Sequence, residues 1–528
     1  MTATYPQADL SITFHGAAQT VTGSCMELAL GDTRILVDCG LFQGSRTLET
    51  LNHGAFGFDV HDIDAVVLTH AHIDHCGLLP KLVAQGYRGA IHCTPATADL
   101  LEYMLADAGR IQESEALRRN RRRDRAGEAH FEPLYTEQDA LKAWRQAKPT
   151  PMGEWFEPAP GFRVRLWNAG HILGSASAEI EAGGVRLLCS GDIGPDNKEF
   201  YPDPSAPSGL DYVVCESTYG NRSREDVTIE QRRDVLEKEI KDALLRGGNL
   251  VIPVFALERT QELVTDIIRL AEANRIPGVP IFVDSPLATK ATTVFAAHSG
   301  ELQDLDGLNI LHHPQVRYVE TPVESIRLNM MSGVIILSAS GMCEAGRIRH
   351  HLKHNLPRRE STVLIVGFQA QGTLGRVLED GAARVRISGE DVSVRARIRR
   401  IDTYSAHADR EELHAWIKAR FPIRGGLFLS HGEAEGIAGL ETMVQPDDPA
   451  LKIVKPALGE TWALTPGAPA RRIATGRVDI QQAMGHDWQN DYADFTTGLK
   501  SELGRVKGDA ARRQVIAQMR RLLGEAQR

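Results

Sequence analysis

The run His70-Ala-His72-Ile-Asp74-His75 places four metal-ligating side chains within six positions. It follows the apolar stretch Val66-Val67-Leu68-Thr69 directly and precedes Pro80, a residue suited to opening the short helix that Gly86 ends. His70 and His72, two apart on an extended turn, can face one way, while Asp74 and His75 lie far enough along to turn towards a second centre. Imidazole nitrogen and carboxylate oxygen suit ions of the zinc class, and two such ions about 3.5 to 4 Å apart clamp a bridging hydroxide. That is the chemistry of metal-assisted hydrolysis. A single histidine at a strand end is more often packed or hydrogen-bonded than a ligand. Here His70, His72, His75, His171, His407 and His431 are joined by Asp38, Asp74, Asp192 and Glu216, all at or just past the ends of separate strand-like runs. Such ends are where α/β proteins gather their sites.

Strands must position these side chains. Arg34-Ile35-Leu36-Val37 runs into Asp38, Val164-Arg165-Leu166-Trp167 leads to His171, and Val185 to Cys189 leads to Asp192; each run reads as a strand. Leu100, Leu101, Met104, Leu105 and Ala108 recur at helical spacing between them, so residues 1–209 are expected to form a layered α/β unit. A second alternation starts at Asp211-Tyr212-Val213-Val214-Cys215. It has strand runs at 249–255, 280–284, 333–338 and 362–367 and helical runs at 228–246 and 258–273, which predicts a largely parallel sheet over 210–395. The strand-then-polar pattern resumes at Ile401 to His407 and at Gly426 to His431, so 396–465 is expected to complete the first unit, with the second inserted into it.

After Pro466 a Pro/Ala/Arg linker leads into a helical extension over 466–528, where Val515, Ile516, Met519, Leu522 and Leu523 form an apolar stripe beside Arg512, Arg513, Arg520 and Arg521. This helix reads as docking on the body or on a second copy of the chain, which leaves a homodimer open; an RNA-contacting tail is the sharper alternative.

The 528 residues, 42% hydrophobic and 24% charged, have the make-up of an ordinary globular protein of about three domains. A net charge of -9 argues against a wholesale electrostatic nucleic-acid binder, although it says nothing of a local cleft. Seven cysteines with no CxxC spacing exclude a disulfide framework and a thiolate zinc knuckle. Most are expected to be small buried hydrophobes, and neither Cys39 nor Cys76 is needed as a ligand. The N-terminus has no basic region followed by an apolar one, and no apolar stretch is long enough to span a bilayer, so a cytoplasmic protein without membrane contact is expected.

The run His70-x-His72-x-Asp74-His75, with Gly170-His171, Gly191-Asp192 and His431, is similar to the metal-binding motifs of the metallo-β-lactamase superfamily, whose fold is a four-layer αββα sandwich. Glu216-Ser-Thr-Tyr-Gly, Pro253-Val-Phe-Ala-Leu-Glu-Arg259-Thr-Gln-Glu, Asp284-Ser-Pro-Leu-Ala, Ser338-Ala-Ser340-Gly341-Met and Gly367-Phe-Gln-Ala-Gln-Gly-Thr373-Leu-Gly resemble more specifically the β-CASP nucleases, in which a β-CASP domain is inserted into the sandwich and substrate lies between the two. Ser405-Ala-His407-Ala-Asp409 and Leu429-Ser-His431-Gly match later motifs of that family. A histidine at the last position resembles its RNA-processing members, among them the endonuclease subunit of pre-mRNA 3′-end processing and its bacterial relatives. The resemblance covers about residues 10–460.

The resemblance implies two zinc ions per chain, one held by His70, His72 and His171, the other by Asp74, His75 and His431, with Asp192 between them. It further implies that Asp38 lies behind the ligands and that Glu216 orients His407, which protonates the departing oxygen; Asp38, Asp74, Glu216 and His407 are the residues counted as catalytic. Single-stranded RNA would be hydrolysed to 3′-hydroxyl and 5′-phosphate ends. Arg259, Ser340, Gly341, Gly372-Thr373 and Ser405 are candidates for phosphate or substrate contact, each weighed against a plain turn or cap. The arginines at 118, 119, 121, 122, 123 and 125 read as a solvated helix face, with an RNA-channel rim as the alternative. Two other readings compete: a metallo-hydrolase of another substrate, such as a thioester or lactam, and a non-catalytic RNA-binding scaffold. The inserted segment argues against the first and the full ligand set against the second. An N-terminal KH module of the kind archaeal relatives carry is not evident, and the residues after about 470 match no motif of the family.

Overall fold

In the strand Leu10–Phe14 buried and half-exposed residues alternate, so Leu10, Ile12 and Phe14 point into a core while the residues between them face out. The structure is a computed structural model that describes residues 10–44, 46–126, 129–196, 198–224, 227–303, 310–367, 369, 373–477, 499 and 502–525. Leu10–Phe14 lies in an eight-stranded sheet with Met26–Leu30, Thr33–Val37, Ala65–Val67, Ala90–Cys93 and Ala147–Pro149 on one side and Thr461–Leu464 and Arg471–Ala474 on the other. A seven-stranded sheet faces it, running from Ile453–Val454 through Gly426–Ser430, Tyr212–Glu216, Val185–Cys189, Ala176–Ala182 and Phe162–Asn168 to Trp155–Ala159. Ile12, Phe14, Ile35 and Val67 of the first sheet pack with Val164, Ile180, Leu187 and Phe428 of the second.

Each sheet buries its other face under helices. Leu36 and Val66 meet Leu79 and Leu82 of the helix Leu79–Ala84 and Leu101 and Leu105 of Pro95–Ala126. Val213 and Leu429 meet Leu413, Ile417, Ile437 and Leu440 of Arg410–Lys418 and Ala434–Val444. The result is the expected αββα sandwich. Being covered on both sides, Tyr212–Glu216 is buried along its whole length.

The inserted unit is built on a six-stranded sheet, all parallel, in the order Val316–Tyr318, Ile281–Val283, Ile335–Ser338, Leu250–Pro253, Thr362–Val366 and Arg397–Ile401. The helical run expected over 228–246 is Ile229–Leu245, started by a capping box in which Thr228 and Gln231 satisfy each other's backbone N–H groups.

Three strands depart from the expected boundaries. Tyr212–Glu216, assigned by sequence to 210–395, pairs with Val185–Cys189 and Gly426–Ser430 in the seven-stranded sheet. Arg397–Ile401, assigned to the returning segment 396–465, is instead an edge of the six-stranded sheet. Arg471–Ala474, expected as linker within 466–528, pairs with Thr461–Leu464. An apolar run can be recognised as a strand from its own residues, but its sheet depends on partners far away in the chain. Beyond that edge strand the extension is described at its helix Asp509–Glu525; 478–498, Leu523's side chain and Gly372 lie outside the described residues.

Candidate metal centre

The His70-to-His75 run turns sharply after its strand. Ile73–Cys76 is a single helical turn with His72 at its N-cap, laid directly on the loop after Val37. Gly40 permits that contact: a Cβ there would lie 1.6 Å from the Asp74 carbonyl oxygen. Backbone N–H groups of Ser24 and Cys39 donate to the Asp74 and His75 carbonyls at 2.8 Å each. A second close approach joins the loops of His171 and Asp192, where a Cβ on Gly194 would lie 1.9 Å from the Gly170 carbonyl oxygen. Asp38 and His431 turn inward with φ of 63° and 47°, a left-handed conformation uncommon for residues other than glycine and found often at sites.

Side chains from four loops thus converge in two clusters. His70 Nε2 and His171 Nε2 each lie 3.1 Å from His72 Nδ1, and both lie 3.5 Å from Asp192 Oδ2. In the other cluster His75 Nε2 is 3.1 Å from His431 Nε2 and 3.3 Å from Asp192 Oδ1, and His431 Nε2 is 3.7 Å from Asp74 Oδ2. Asp192 therefore belongs to both.

These residues fit divalent metal. Ligand bonds of about 2.0–2.1 Å in a tetrahedron set neighbouring donors about 3.3 Å apart, close to the spacings here. Asp192 Oδ1 is buried and has no hydrogen-bond partner among the described residues. Three ring nitrogens are held from behind, His75 Nδ1 by Asp38 at 2.7 Å, His171 Nδ1 by the Ala406 carbonyl at 2.8 Å and His70 Nδ1 by Thr69 Oγ1 at 3.1 Å, while His431 Nδ1 lies between Thr218 Oγ1 at 3.2 Å and Asp192 Oδ1 at 3.4 Å. Contacts of this kind choose the tautomer and aim the other nitrogen at the metal. Ser24 Oγ and Thr69 Oγ1 donate to Asp38 in turn, each at 3.0 Å.

Burial holds the His70 and His171 imidazoles well below their ordinary pKa, in the neutral form that ligates. For Asp192 burial alone would raise the pKa, but the imidazoles of His431, His75 and His407 outweigh it and hold the carboxyl well below the usual range.

His407 stands at the rim, its side chain 20% exposed, with Nδ1 3.2 Å from Glu216 Oε1 and 3.9 Å from Asp192 Oδ2. Burial would lower its pKa, but Glu216 and Asp192 more than offset this and raise it. Glu216 is itself held by the Ile193 N–H at 2.6 Å. The structure therefore brings together His70, His72, Asp74, His75, His171, Asp192, His431, His407, Glu216 and Asp38.

The candidates for substrate contact are placed differently. Arg259 is buried, its guanidinium 3.6 Å from Glu258. Ser340 Oγ accepts from the Ala345 N–H, Thr373 caps the helix Leu374–Glu379, and Ser405 bonds the backbone of His407. A Cβ on Gly341 would press on the ring of Phe255, which is 40% exposed. Of the arginine run, Arg119 pairs with Glu115 and lies over the Phe131 ring. All seven cysteines are free and buried, and none joins a candidate metal cluster among the described residues.

Ser24, Thr69 and Thr218 were missed by sequence reasoning. Thr69 and Thr218 adjoin residues already singled out, whereas nothing in the sequence marks Ser24.

Three family models match the chain: the metallo-beta-lactamase superfamily over 19–226, the Beta-Casp domain over 260–378, and the Zn-dependent metallo-hydrolase RNA specificity domain over 391–445. A ribonuclease of Thermus thermophilus is 37% identical over 434 residues, 80% of this chain and 94% of that protein. The transcription termination factor FttA of Methanocaldococcus jannaschii is 30% identical, covering 80% of this chain and 67% of that one; an RNase J-like protein of the same organism is 29% identical, covering 80% and 92%. A solved protein of unknown function from Enterococcus faecalis shares the fold, with TM-score 0.51, 14% identity and coverage of 87% of this chain and 100% of that one. No helix among the described residues is long and apolar enough to cross a membrane. With all three family models matched and a ribonuclease 37% identical over most of both chains, the chain belongs to the metallo-β-lactamase superfamily and, within it, to the β-CASP RNA nucleases.

Proposed function

We propose that this metal-dependent ribonuclease binds two zinc ions per chain, one through His70, His72 and His171 and the other through Asp74, His75 and His431, with Asp192 shared, and that it hydrolyses single-stranded RNA to 3′-hydroxyl and 5′-phosphate ends. The observation that carries this reading is the position of Asp192, with Oδ2 3.5 Å from His70 and His171, Oδ1 3.3 Å from His75 and 3.4 Å from His431, and His407 at the rim. Zinc supplies positive charge against the non-bridging phosphate oxygens and lowers the pKa of a water from 15.7 towards about 7.

The chain's own residues supply the rest. Asp38 holds His75 Nδ1 so that Nε2 faces inward. Glu216 engages His407 Nδ1, which leaves Nε2 to hand a proton to the departing 3′-oxygen. Ser340 and Gly341, in a turn against the exposed Phe255 ring, are the inserted unit's contacts for a neighbouring nucleotide. Arg259, Thr373 and Ser405 act behind that surface, the first from a buried position and the other two through their own turns. The exposed side chains of Ile516 and Leu522 on the C-terminal helix support pairing of two chains through it, and seven free thiols support a reducing, cytoplasmic setting.

His407→Ala tests the reading. Metal content should stay intact while RNA cleavage falls by about 10² to 10⁴-fold; normal cleavage would remove His407 from the chemistry. Elemental analysis identifies the metal, and 5′- and 3′-labelled RNAs report the product ends and whether cutting is internal.

A further inference from the structure

The helix Arg259–Glu272 of the inserted unit is buried along nearly its whole length, and two of its polar groups reach out of that unit towards the metal centre. At its N-terminus Glu258, with φ of 70°, pairs with Lys198 of the sandwich; the two side chains are 3% and 2% exposed. Lys198 Nζ also donates to the backbone carbonyl of His171 at 2.7 Å. About two turns further on, Asp266 Oδ2 accepts the Tyr404 hydroxyl at 2.7 Å. Tyr404 is 1% exposed and lies three residues before His407. Between the two stands Ala406, whose carbonyl takes the His171 Nδ1 proton at 2.8 Å.

His171 is therefore held at its backbone by Lys198, and the segment that carries His407 is tied down by Tyr404; both supports lead back to the same helix. We propose that Arg259–Glu272 is a template for the metal centre, with Lys198 and Tyr404 as positioning residues, the first transmitting its placement to His171 and the second to His407. The inserted unit then sets the geometry of the reaction in addition to bounding the cleft. This rests on His407 being the proton donor. Neither residue touches the reacting atoms. Their contribution is to deny His171 and His407 the small displacements that a loop otherwise allows, and supports of this kind typically change metal affinity or activity by about 10 to 100-fold.

Tyr404→Phe removes only the hydroxyl. Asp266 keeps Arg232 and Arg233, so its buried carboxylate stays paired. The variant should cut RNA with kcat about tenfold lower, KM unchanged and metal content unchanged. RNA carrying a bridging 3′-sulfur at the scissile link releases a thiolate that needs no proton, so Tyr404→Phe and His407→Ala should both cut it at the wild-type rate. Relief of His407→Ala but equal slowing of Tyr404→Phe on both substrates, or no slowing at all, overturns the Tyr404 assignment. Failure of the sulfur link to relieve His407→Ala sinks the proton-donor reading, and the Tyr404 assignment with it.

The other support is tested without catalysis. Lys198→Met removes the Nζ that reaches the His171 carbonyl, and Glu258 keeps Arg259 as an ion partner, so its buried carboxylate is not left alone. The variant should release zinc to a competing chelator about 10 to 100-fold more readily. Retention equal to wild type overturns the Lys198 assignment, and it does so even if Tyr404→Phe fails to fold.

Discussion

Two buried polar assemblies lie close together in the chain and differ in kind. Around Asp192 the two clusters bring five imidazoles and two carboxylates together, and the nearby Lys198 reaches the backbone of His171 and the carboxylate of Glu258. Around Glu199, a few residues on, carboxylates and guanidinium groups interleave: Arg232 and Arg233 both reach Glu199 and Asp266, and Arg232 lies 3.7 Å from Glu262. The second assembly neutralises itself. In the first, ring nitrogens of His70 and His171 crowd that of His72 at 3.1 Å, and burial holds all three imidazoles below their ordinary pKa, an arrangement that is costly in a dry interior unless a cation joins it. The sign pattern therefore separates a ligand site from an ion-pair network more sharply than burial or proximity does.

Four substitutions, from the largest effect down, would break or sharpen that contrast. Asp192→Asn removes the one carboxylate common to both clusters; elemental analysis should show loss of metal, and cleavage should fall further than in His407→Ala. Full metal retention in that variant would mean that Asp192 is not shared. Arg232→Met strands carboxylates in the interior and should lower stability in a denaturant titration by about 3–5 kcal/mol, with metal per folded chain unchanged. Metal lost before the chain unfolds would mean that the ion-pair network holds the ligands as well as the fold, since Arg232 and Tyr404 share Asp266.

The third prediction concerns pH. Burial and the neighbouring Glu258 push Glu262 up to about 8, and burial and Asp266 push Glu199 up to about 7, from ordinary values of 4.5. Both groups hold protons in the folded chain at pH values where the unfolded chain has released them. Their stabilising contribution is thus complete below pH 4.5 and is lost as the pH rises through about 7 and then 8. Thermal unfolding followed across that window should show a falling Tm, and Glu262→Gln should make the fall shallower; an unchanged slope would contradict the assignment. The smallest effect is expected of Thr373→Ala, which loses an N-cap and should cost about 1 kcal/mol with KM for RNA unchanged. A raised KM at constant stability would return Thr373 to the substrate surface.

Much of the metal centre was legible beforehand because a ligand advertises itself by residue type and by its place at the end of an apolar run. His70, His72, Asp74 and His75 needed only a short window, and His171, Asp192 and His431 each followed a recognisable strand. The candidates on the inserted unit were harder to read. Serine, threonine and glycine serve turns and caps as readily as phosphates, and Thr373 and Ser405 are hydrogen-bonded in their own turns. His407 was found, but its route was not: the strand before it belongs to the six-stranded sheet.

What the sequence determined by itself was the roster of candidate ligands and the alternation of strands and helices, since both follow from residue type and local period. Which sheet Tyr212–Glu216 joins, which ring nitrogen each histidine turns inward, and that Lys198 and Tyr404 stand behind His171 and His407 were decided only in the tertiary structure. Those outcomes depend on contacts between residues from tens to hundreds of positions apart, and such contacts exist only once the sheets have closed on one another.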